Sequence, residues 1–155
     1  MNIRLVPMSA ERLPLWLASS HADYVADLIA AGEIPAVARS RSAQSTSEMF
    51  PGGKLKAGHA AFDLVDGDDA EVGYLWIGPD TSEDPGAWWV WDVGVREDQR
   101  GRGFGRAAMT LGEQYARDHG ASSLGLNVFG FNAPARGLYE SLGYQTVSIK
   151  MKKSL

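Results

Sequence analysis

Glycines alternate with other residues in the run that most constrains the fold of this chain, Gln99-Arg100-Gly101-Arg102-Gly103-Phe104-Gly105-Arg106. The run lies between a hydrophobic strand pattern, Trp88–Val95, and a helical pattern, Ala107–Asp118. Glycine lets backbone N–H groups approach an anion without an intervening Cβ atom, and the first turn of a helix leaves N–H groups unpaired at its positive end. Three arginines add charge to the same place. The sequence therefore predicts a phosphate-type anion site here, with a tight turn as the alternative.

Two common nucleotide-binding motifs do not fit this run. No Gly-Lys-Ser/Thr closes it, which excludes a Walker loop. Its G-x-G-x-G spacing differs from the dinucleotide fingerprint, and the region about 20 residues further on, near Ser122 and Ser123, offers no acidic residue for a ribose. The predicted ligand is therefore phosphorylated but is not a dinucleotide.

The composition is that of one small domain, assigned to residues 1–155. The chain has 155 residues and 45% apolar content, and its 18 glycines form no repeat. No apolar run reaches the length of a membrane span, and Met1-Asn2-Ile3-Arg4 does not begin a signal peptide, so a cytoplasmic protein without a membrane partner is expected. The absence of cysteine excludes an acyl-cysteine intermediate.

Charge and histidine placement limit the partners. A net charge of −4 and a pI near 5.3 argue against nucleic acid, which needs a broad basic surface. The acidic excess suits a cationic amine substrate, and an ordinary soluble surface explains it equally well. His21, His59 and His119 are scattered without ligand spacing, so no metal site is expected.

Periodicity and turn residues predict the element order βααβββαβαβ. Ile3–Val6 is a strand, a helix begins between Ser9 and Arg12 and is capped by Gly32, and Ile34–Met49 is a marginal helix or a mobile segment. The later elements are a hairpin of Ala60–Val65 and Glu71–Ile77 around Asp66-Gly67-Asp68-Asp69, the strand Trp88–Val95, the helix after the glycine run, the strand Leu124–Phe129, the helix Asn132–Leu142 and a final strand Tyr144–Met151.

A V-x-V strand end followed by Q/R-x-x-G-x-G/A occurs at Val93-Gly94-Val95-Arg96-Glu97-Asp98-Gln99-Arg100-Gly101-Arg102-Gly103-Phe104-Gly105. Further along lies Leu126–Tyr144, LNVFGFNAPARGLYESLGY. In this order the two segments resemble the signatures of the GCN5-related N-acetyltransferase (GNAT) superfamily. The resemblance covers Gly73–Tyr144 and is looser upstream. It implies an α/β fold with a twisted mixed sheet of six to seven strands, helices on both faces, and two parallel strands that splay apart around the pantetheine arm of acetyl-CoA.

The resemblance also implies site residues. Tyr139 matches a tyrosine that protonates the departing thiolate, although a core tyrosine packed with Leu138 and Leu142 is the structural alternative. Asn132 matches a residue that bonds the pantetheine chain, and it also suits a helix N-cap before Pro134. The expected cofactor-binding residues are Val93, Gly94, Val95, Arg100, Gly101, Arg102, Gly103, Phe104, Gly105, Arg106 and Asn132.

Asp92 is the candidate general base. It lies among apolar residues, and burial raises a carboxyl pKa toward the range that a base needs. Strict alternation places it on the face of Val90 and Gly94, opposite Trp89 and Trp91. Some relatives carry their acidic residues at the neighbouring positions, where this chain has Trp91 and Gly94. A structural aspartate, with a water chain deprotonating the amine, therefore remains an alternative.

The function that this resemblance implies is acetyl-CoA-dependent N-acetylation of a primary amine of a small molecule, by direct transfer in a ternary complex. Two other functions stay open. One is acetylation of a protein N-terminus or lysine, which needs a more open groove. The other is a non-catalytic acyl-CoA-binding module, which does not need Tyr139. A homodimer is also compatible with the sequence.

Overall fold

Residues 2–155, which the computed structural model of the chain describes, form a five-stranded sheet and four α-helices. The strands are β1 (Arg4–Pro7), β2 (Ala60–Val65), β3 (Glu71–Pro79), β4 (Ala87–Val95) and β5 (Ser123–Leu126). The helices are α1 (Arg12–Ala30), α2 (Pro35–Met49), α3 (Phe104–Asp118) and α4 (Ala133–Ser141), with short 3₁₀ turns at Pro51–Gly53 and Glu97–Gln99.

The sheet order follows the chain order, β1-β2-β3-β4-β5. Neighbouring strands are antiparallel except for β4 and β5, which are parallel and joined through α3. The predicted β2–β3 hairpin is confirmed, and Asp66 organises its turn by accepting hydrogen bonds from the N–H groups of Asp68 and Ala70 at 2.9 and 3.0 Å. The sheet is therefore mixed, and its one parallel pair lies at the edge.

Helices cover both faces of the sheet, as the resemblance implies. On one face Met109 of α3 packs in a buried cluster with Ile77 and Val90, and Gly112 lets the helix lie close because a Cβ atom there would be 2.9 Å from Leu75 Cδ2. On the other face Trp16 of α1 packs edge-on against the tyrosine and tryptophan side chains of β3. We refer to these as the α3 face and the α1 face.

The ambiguous segment Ile34–Met49 forms the helix α2. Its weak pattern reflects a shallow contact with α1, because few of its side chains are buried. One of them, Ser42, is only 1% exposed and lies 2.8 Å from His21 Nδ1 of α1. A polar contact of this kind leaves no hydrophobic stripe for a sequence to show.

The final strand at Tyr144–Met151 does not form, and five strands replace the expected six to seven. Tyr144 is anchored, since its hydroxyl donates to Glu113 of α3 at 3.0 Å. Beyond it the chain has no regular secondary structure and no strand partner, and Val147 is 95% exposed. The alternation of apolar residues predicted a strand here, and the prediction is wrong because a strand also needs a neighbouring strand to pair with. β5 is shorter than predicted for a similar reason, because its pairing with β4 stops at Leu126.

Candidate active site

A β-bulge in β4 sets the direction of its only carboxylate. Trp76 of β3 pairs with Asp92, whereas the next residue, Ile77, pairs with Val90, so Trp91 is an extra residue in β4. Trp91 and Asp92 therefore both lie on the α1 face, and Val90 lies on the α3 face. The prediction that Asp92 shares a face with Val90 and opposes Trp91 is wrong, because the bulge interrupts the period of two.

The parallel pair β4–β5 separates at the bulge. Its last paired residues are Val90 and Leu126, and β4 then continues alone on this side as far as Val95. Within residues 2–155 no strand pairs with this edge at residues 91–95, so the backbone groups that point away from β3 have no partner in a sheet. An extended ligand can pair with such an edge as an added strand would.

The glycine run lies at the end of this open edge and leads directly into α3. Gly101 and Gly103 have φ values of 75° and 85°, in the left-handed region that favours glycine. The first helical hydrogen bond is donated by Ala107 to the Gly103 carbonyl at 3.1 Å. Among residues 2–155, no acceptor is found for the backbone N–H groups of residues 101–106. The loop thus presents a continuous set of unpaired donors at a helix N-terminus, as an anion site requires.

The three arginines of the loop have different surroundings. Arg100 donates from Nε to the Val95 carbonyl at 3.2 Å, which ties the loop to the end of β4. Arg106 donates to Ser141 Oγ of α4 at 2.7 Å. Arg102 contacts Gln99 and lies 5.0 Å from the ring centre of Phe104. All three arginines are exposed, so their charge is available to an anion.

Two expected cofactor-binding residues serve packing as well. Phe104 is 4% exposed and packs with Leu64 and Ala108, so its side chain anchors α3 and only its backbone faces the loop. A Cβ atom on Gly105 would be 3.2 Å from Leu138 Cδ2, which shows how closely α3 and α4 approach. These contacts fix the unpaired N–H groups on a rigid element.

Asp92 is held by two hydroxyl groups on the α1 face. Ser20 of α1 donates to Oδ2 at 2.7 Å and Tyr74 of β3 donates to Oδ1 at 3.3 Å. Burial raises the pKa of the Asp92 carboxyl above its usual range, and the charge of Asp23 raises it further. The two hydroxyl hydrogen bonds lower the pKa without offsetting burial.

Gly94 makes this arrangement possible. The Tyr74 ring lies across it, since a Cβ atom on Gly94 would be 2.5 Å from Tyr74 Cζ. Any side chain at this position would displace the ring and its hydroxyl from Asp92. Gly94 was predicted as a cofactor-binding residue, and the structure gives it this additional positioning role.

Tyr139 lies on α4 and packs against the buried cluster of the α3 face, which includes Val90 of β4. It is half-buried, and its ring packs edge-on against Tyr144 with ring centres 6.1 Å apart. Burial raises its pKa, and the charge of Asp92 acts in the same direction. Its hydroxyl has no hydrogen-bond partner within residues 2–155, in contrast to that of Tyr144. The phenol is therefore kept protonated and free to donate.

Asn132 acts as the N-cap of α4. Its side chain accepts a hydrogen bond from the Ala135 N–H at 3.3 Å, and Pro134 follows in the first turn. The residue is exposed, so a bond to pantetheine stays a prediction.

Sequence reasoning did not identify Ser20 and Tyr74. Ser20 is 72 positions from Asp92 and no local motif marks it. Tyr74 follows from the sequence only if the register of β3 against β4 is known, and the bulge changes that register. A polar residue on an otherwise apolar helix face was the one available signal for Ser20.

Two absences apply to residues 2–155. No group of three or more His, Asp or Glu side chains is placed to hold a metal ion there. None of the helices in the same range is both long enough and apolar enough to cross a membrane.

Comparisons with known proteins agree with this geometry. The model of the acetyltransferase (GNAT) family matches residues 35–144. The chain is 31% identical to the uncharacterized N-acetyltransferase YycN of Bacillus subtilis (strain 168) over the full length of both proteins. The crystal structure of YycN covers 99% of each chain with a TM-score of 0.91 at 32% identity. Mycothiol acetyltransferase of Kocuria rhizophila is 34% identical over 79 residues, which is 50% of this chain but 26% of that protein. The chain therefore belongs to the acetyltransferase (GNAT) family.

Proposed function

We propose that this enzyme transfers an acetyl group from acetyl-CoA to a primary amine of a small molecule, directly and within a ternary complex. One observation carries the proposal. The open edge of β4, at residues 91–95, includes Asp92 and is joined by the 3₁₀ turn Glu97–Gln99 to the unpaired N–H groups of residues 101–106. Such a path suits a ligand that is extended and amide-bearing at one end and carries a diphosphate at the other.

The loop and β4 would hold acetyl-CoA by different means. The N–H groups of residues 101–106, with Arg100 and Arg102 nearby, would bind the diphosphate. Unpaired backbone groups at Val93 and Val95 would pair with the pantetheine amides, although the Val95 carbonyl already accepts from Arg100. Bound acetyl-CoA supplies a thioester carbonyl to the amine.

Transfer requires two proton movements once the amine is neutral, so an ammonium group must first lose one proton to solvent. As the amine nitrogen bonds to the acetyl carbon, the carbon–sulfur bond breaks and the amine loses a proton. Tyr139 would donate its phenolic proton to the sulfur, because its hydroxyl is protonated and unpaired. Asp92 would accept the amine proton, directly or through water, because burial brings its pKa closer to neutral pH. The two residues lie close enough for the charge of Asp92 to raise the Tyr139 pKa.

Acidic side chains on α1 favour a cationic amine. The charge of Asp23 raises the pKa of Asp92, Asp27 and Tyr74, so these groups share one region of negative potential. Relatives named mycothiol acetyltransferase, which match about half of the chain, support a small-molecule acceptor. A single domain spanning residues 1–155 and a cytoplasmic location stay predictions.

The decisive experiment combines acceptor screening with binding. The purified chain is incubated with acetyl-CoA and a panel of small amines, lysine peptides and free-N-terminus peptides, while released thiol and product mass are measured. Thiol release with small amines is the expected result. If thiol is released only with the peptides, the acceptor is instead a lysine or the N-terminus of a protein. If calorimetry shows that acetyl-CoA binds but no mixture releases thiol, the chain is a non-catalytic acyl-CoA-binding module.

A further inference from the structure

Aromatic rings on the α1 face lie directly over glycines of the sheet. At three strand positions a Cβ atom on the glycine would be no more than 2.7 Å from a ring atom, so each ring lies against the backbone. The pairs are His59 over Gly78, Tyr74 over Gly94 and Trp89 over Gly125. Glycine inside a strand weakens the strand and marks a place where another group approaches closely. The first two rings are hydrogen-bonded, His59 to Trp76 and Tyr74 to Asp92, whereas the Trp89 side chain makes no hydrogen bond within residues 2–155.

Trp89 lies where β4 and β5 begin to separate. It pairs with Gly125, and the next pair, Val90 with Leu126, is the last one between the two strands. Val90 and Leu126 face the α3 side, so the Trp89 ring extends over β5 on the α1 face, beside Trp91 with ring centres 6.4 Å apart. The Trp89 side chain is half-buried. Since one face of its ring lies against Gly125, the other face is open to solvent.

The open face of Trp89 and the carboxylate of Asp92 belong to one side of the sheet. The two residues are three positions apart in β4, at most about 10 Å along the strand. Acidic charge collects beyond Asp92, because Asp23 raises the pKa of both Asp92 and Tyr74, and Tyr74 pairs with Gly94. A positively charged amine is therefore favoured at the Asp92 end, and an apolar group is favoured at the Trp89 end. Small-molecule sites commonly combine an apolar wall with a few polar groups that fix the orientation of the ligand.

We propose that the acceptor is an arylalkylamine, a primary amine joined by a short alkyl chain to a planar aromatic ring, and that this ring stacks on the open face of Trp89. This acceptor class rests on the proposed function, because the amine is the one acetylated beside Asp92. Stacked rings attract each other through their quadrupoles in addition to the area that they bury, which an alkyl chain does not do. An indole face also attracts cations, but the acidic groups that favour a cation lie on the far side of Asp92 from Trp89.

Acceptor kinetics test this proposal with four amines: 2-phenylethylamine, its saturated counterpart 2-cyclohexylethylamine, propylamine and 1,5-diaminopentane. The value of kcat/KM should be at least about tenfold higher for 2-phenylethylamine than for propylamine, mainly through KM, and the other two amines should fall below 2-phenylethylamine. Equal values for all four amines, or a preference for the diamine, would overturn the arylalkylamine proposal and leave acetyl transfer to small amines intact.

Calorimetry separates this proposal from the proposed function. If none of the amines releases thiol from acetyl-CoA, small-amine acetylation fails, but binding of 2-phenylethylamine to the CoA-saturated chain still tests the ring site. Binding at least about tenfold tighter than that of propylamine is expected. Equal affinities for the two amines would contradict stacking on Trp89.

Two substitutions of Trp89 test the role of its ring. Trp89→Leu keeps an apolar side chain but removes the ring, so the ratio of kcat/KM for 2-phenylethylamine to that for propylamine should fall toward one. Trp89→Phe keeps a ring and should retain most of this ratio. Leu15→Ala, which removes a 68% exposed apolar side chain from α1, is the control. A ratio in Trp89→Leu equal to that of the wild type would overturn the proposal.

Gly125→Ala tests the site while Trp89 itself is kept. The added methyl group would collide with the Trp89 ring and displace it from β5, so the same ratio should fall. In the Trp89→Leu background the change should have little further effect, because there is no ring to displace. Gly67→Ala is the matched control, since its methyl group would lie at an ordinary 3.5 Å from Asn2 Cβ. Circular dichroism shows whether each variant is folded, and a folded Gly125→Ala chain with an unchanged ratio would contradict stacking on Trp89.

Discussion

At the scale of single residues, the site depends on Asp92 being charged where burial opposes the charge. Ser20 and Tyr74 donate hydrogen bonds to the ionised carboxylate, and Gly94 leaves room for the Tyr74 ring. Burial affects the Asp92 pKa more than these hydrogen bonds do, since the pKa of the carboxyl stays above its usual range. A small change in the donors should therefore move the pKa, which makes Ser20 a sensitive probe of Asp92.

The first prediction concerns the pH dependence of kcat/KM. If Asp92 is the base, activity falls on the acidic side as Asp92 is protonated, with a midpoint above the usual aspartate value of about 3.9. Ser20→Ala should shift this midpoint to higher pH, because it removes a hydrogen bond that lowers the pKa. Asp92→Asn should abolish the acidic limb and retain acetyl-CoA binding. Ser19→Ala, on the exposed side of the same helix, is the control. If the midpoint does not move in Ser20→Ala, a group other than Asp92 causes the loss of activity at acidic pH.

Tyr139 and Tyr144 provide a matched pair for a second prediction. Tyr139→Phe should lower turnover by about 10²-fold, the lower end of the contribution of a general acid, with unchanged calorimetric affinity for CoA. Tyr144→Phe removes a hydroxyl that is bonded to Glu113, so it should lower the free energy of unfolding by about 1 kcal/mol and change turnover only a few-fold. Equal turnover losses in both variants would reduce Tyr139 to a packing residue.

At the scale of elements, the sequence predicted those turns and loops whose conformation is set by residues close together in the chain. The turn at Asp66 and the glycine run could be found because each is specified by residues close together in the chain. The bulge at Trp91 could not, because alternation assumes a regular strand. The unpaired segment after Tyr144 was mistaken for a strand of the same sheet, because period alone does not name a partner. Contacts such as Ser20 with Asp92 depend on how elements pack, and no local pattern reports them.

The third prediction tests the junction of β4 and α3 as an anion site. Arg102→Gln should weaken acetyl-CoA binding by about tenfold, in line with the loss of one charge-assisted hydrogen bond. Binding of acetyl-pantetheine, which lacks the diphosphate, should not change. Arg117→Gln serves as the control, because Arg117 lies at the opposite end of α3. Calorimetry with both ligands measures the effect, and an equal loss for the two would argue against a diphosphate at the loop.

At the scale of the whole molecule, the two faces of the sheet have different roles. The α3 face is an apolar core, with Leu75 and Ile77 fully buried. The α1 face holds the charged groups of the sheet, including Asp92 and the Arg12–Asp63 ion pair at 3.1 Å. The α1 face also has its own buried cluster, around Trp16 and Trp76, so a change of charge on this face affects stability as well as the candidate site.

The fourth prediction is the pH dependence of that stability. Because folding raises the Asp92 pKa, its contribution to stability is present below the unfolded value and is lost as pH rises through the folded value. The wild type should therefore lose stability relative to Asp92→Asn from about pH 4 upward, by about 1.4 kcal/mol for each pH unit between the two pKa values. Urea unfolding of both proteins across this range measures the difference. A constant difference at every pH would mean that folding leaves the Asp92 pKa unchanged.

The bulge at Trp91 also has a consequence for insertions and deletions. Because Trp91 is the extra residue, a chain lacking it would still direct Asp92 toward α1 and Val93 toward α3. The straighter strand would then be free to continue its ladder with β5 beyond Val90, through the residues after Leu126. Such a shortened chain would close the gap between β4 and β5 while keeping every side chain of the candidate site. At this position the number of residues in β4, more than their identity, determines whether the pairing of β4 with β5 continues or stops.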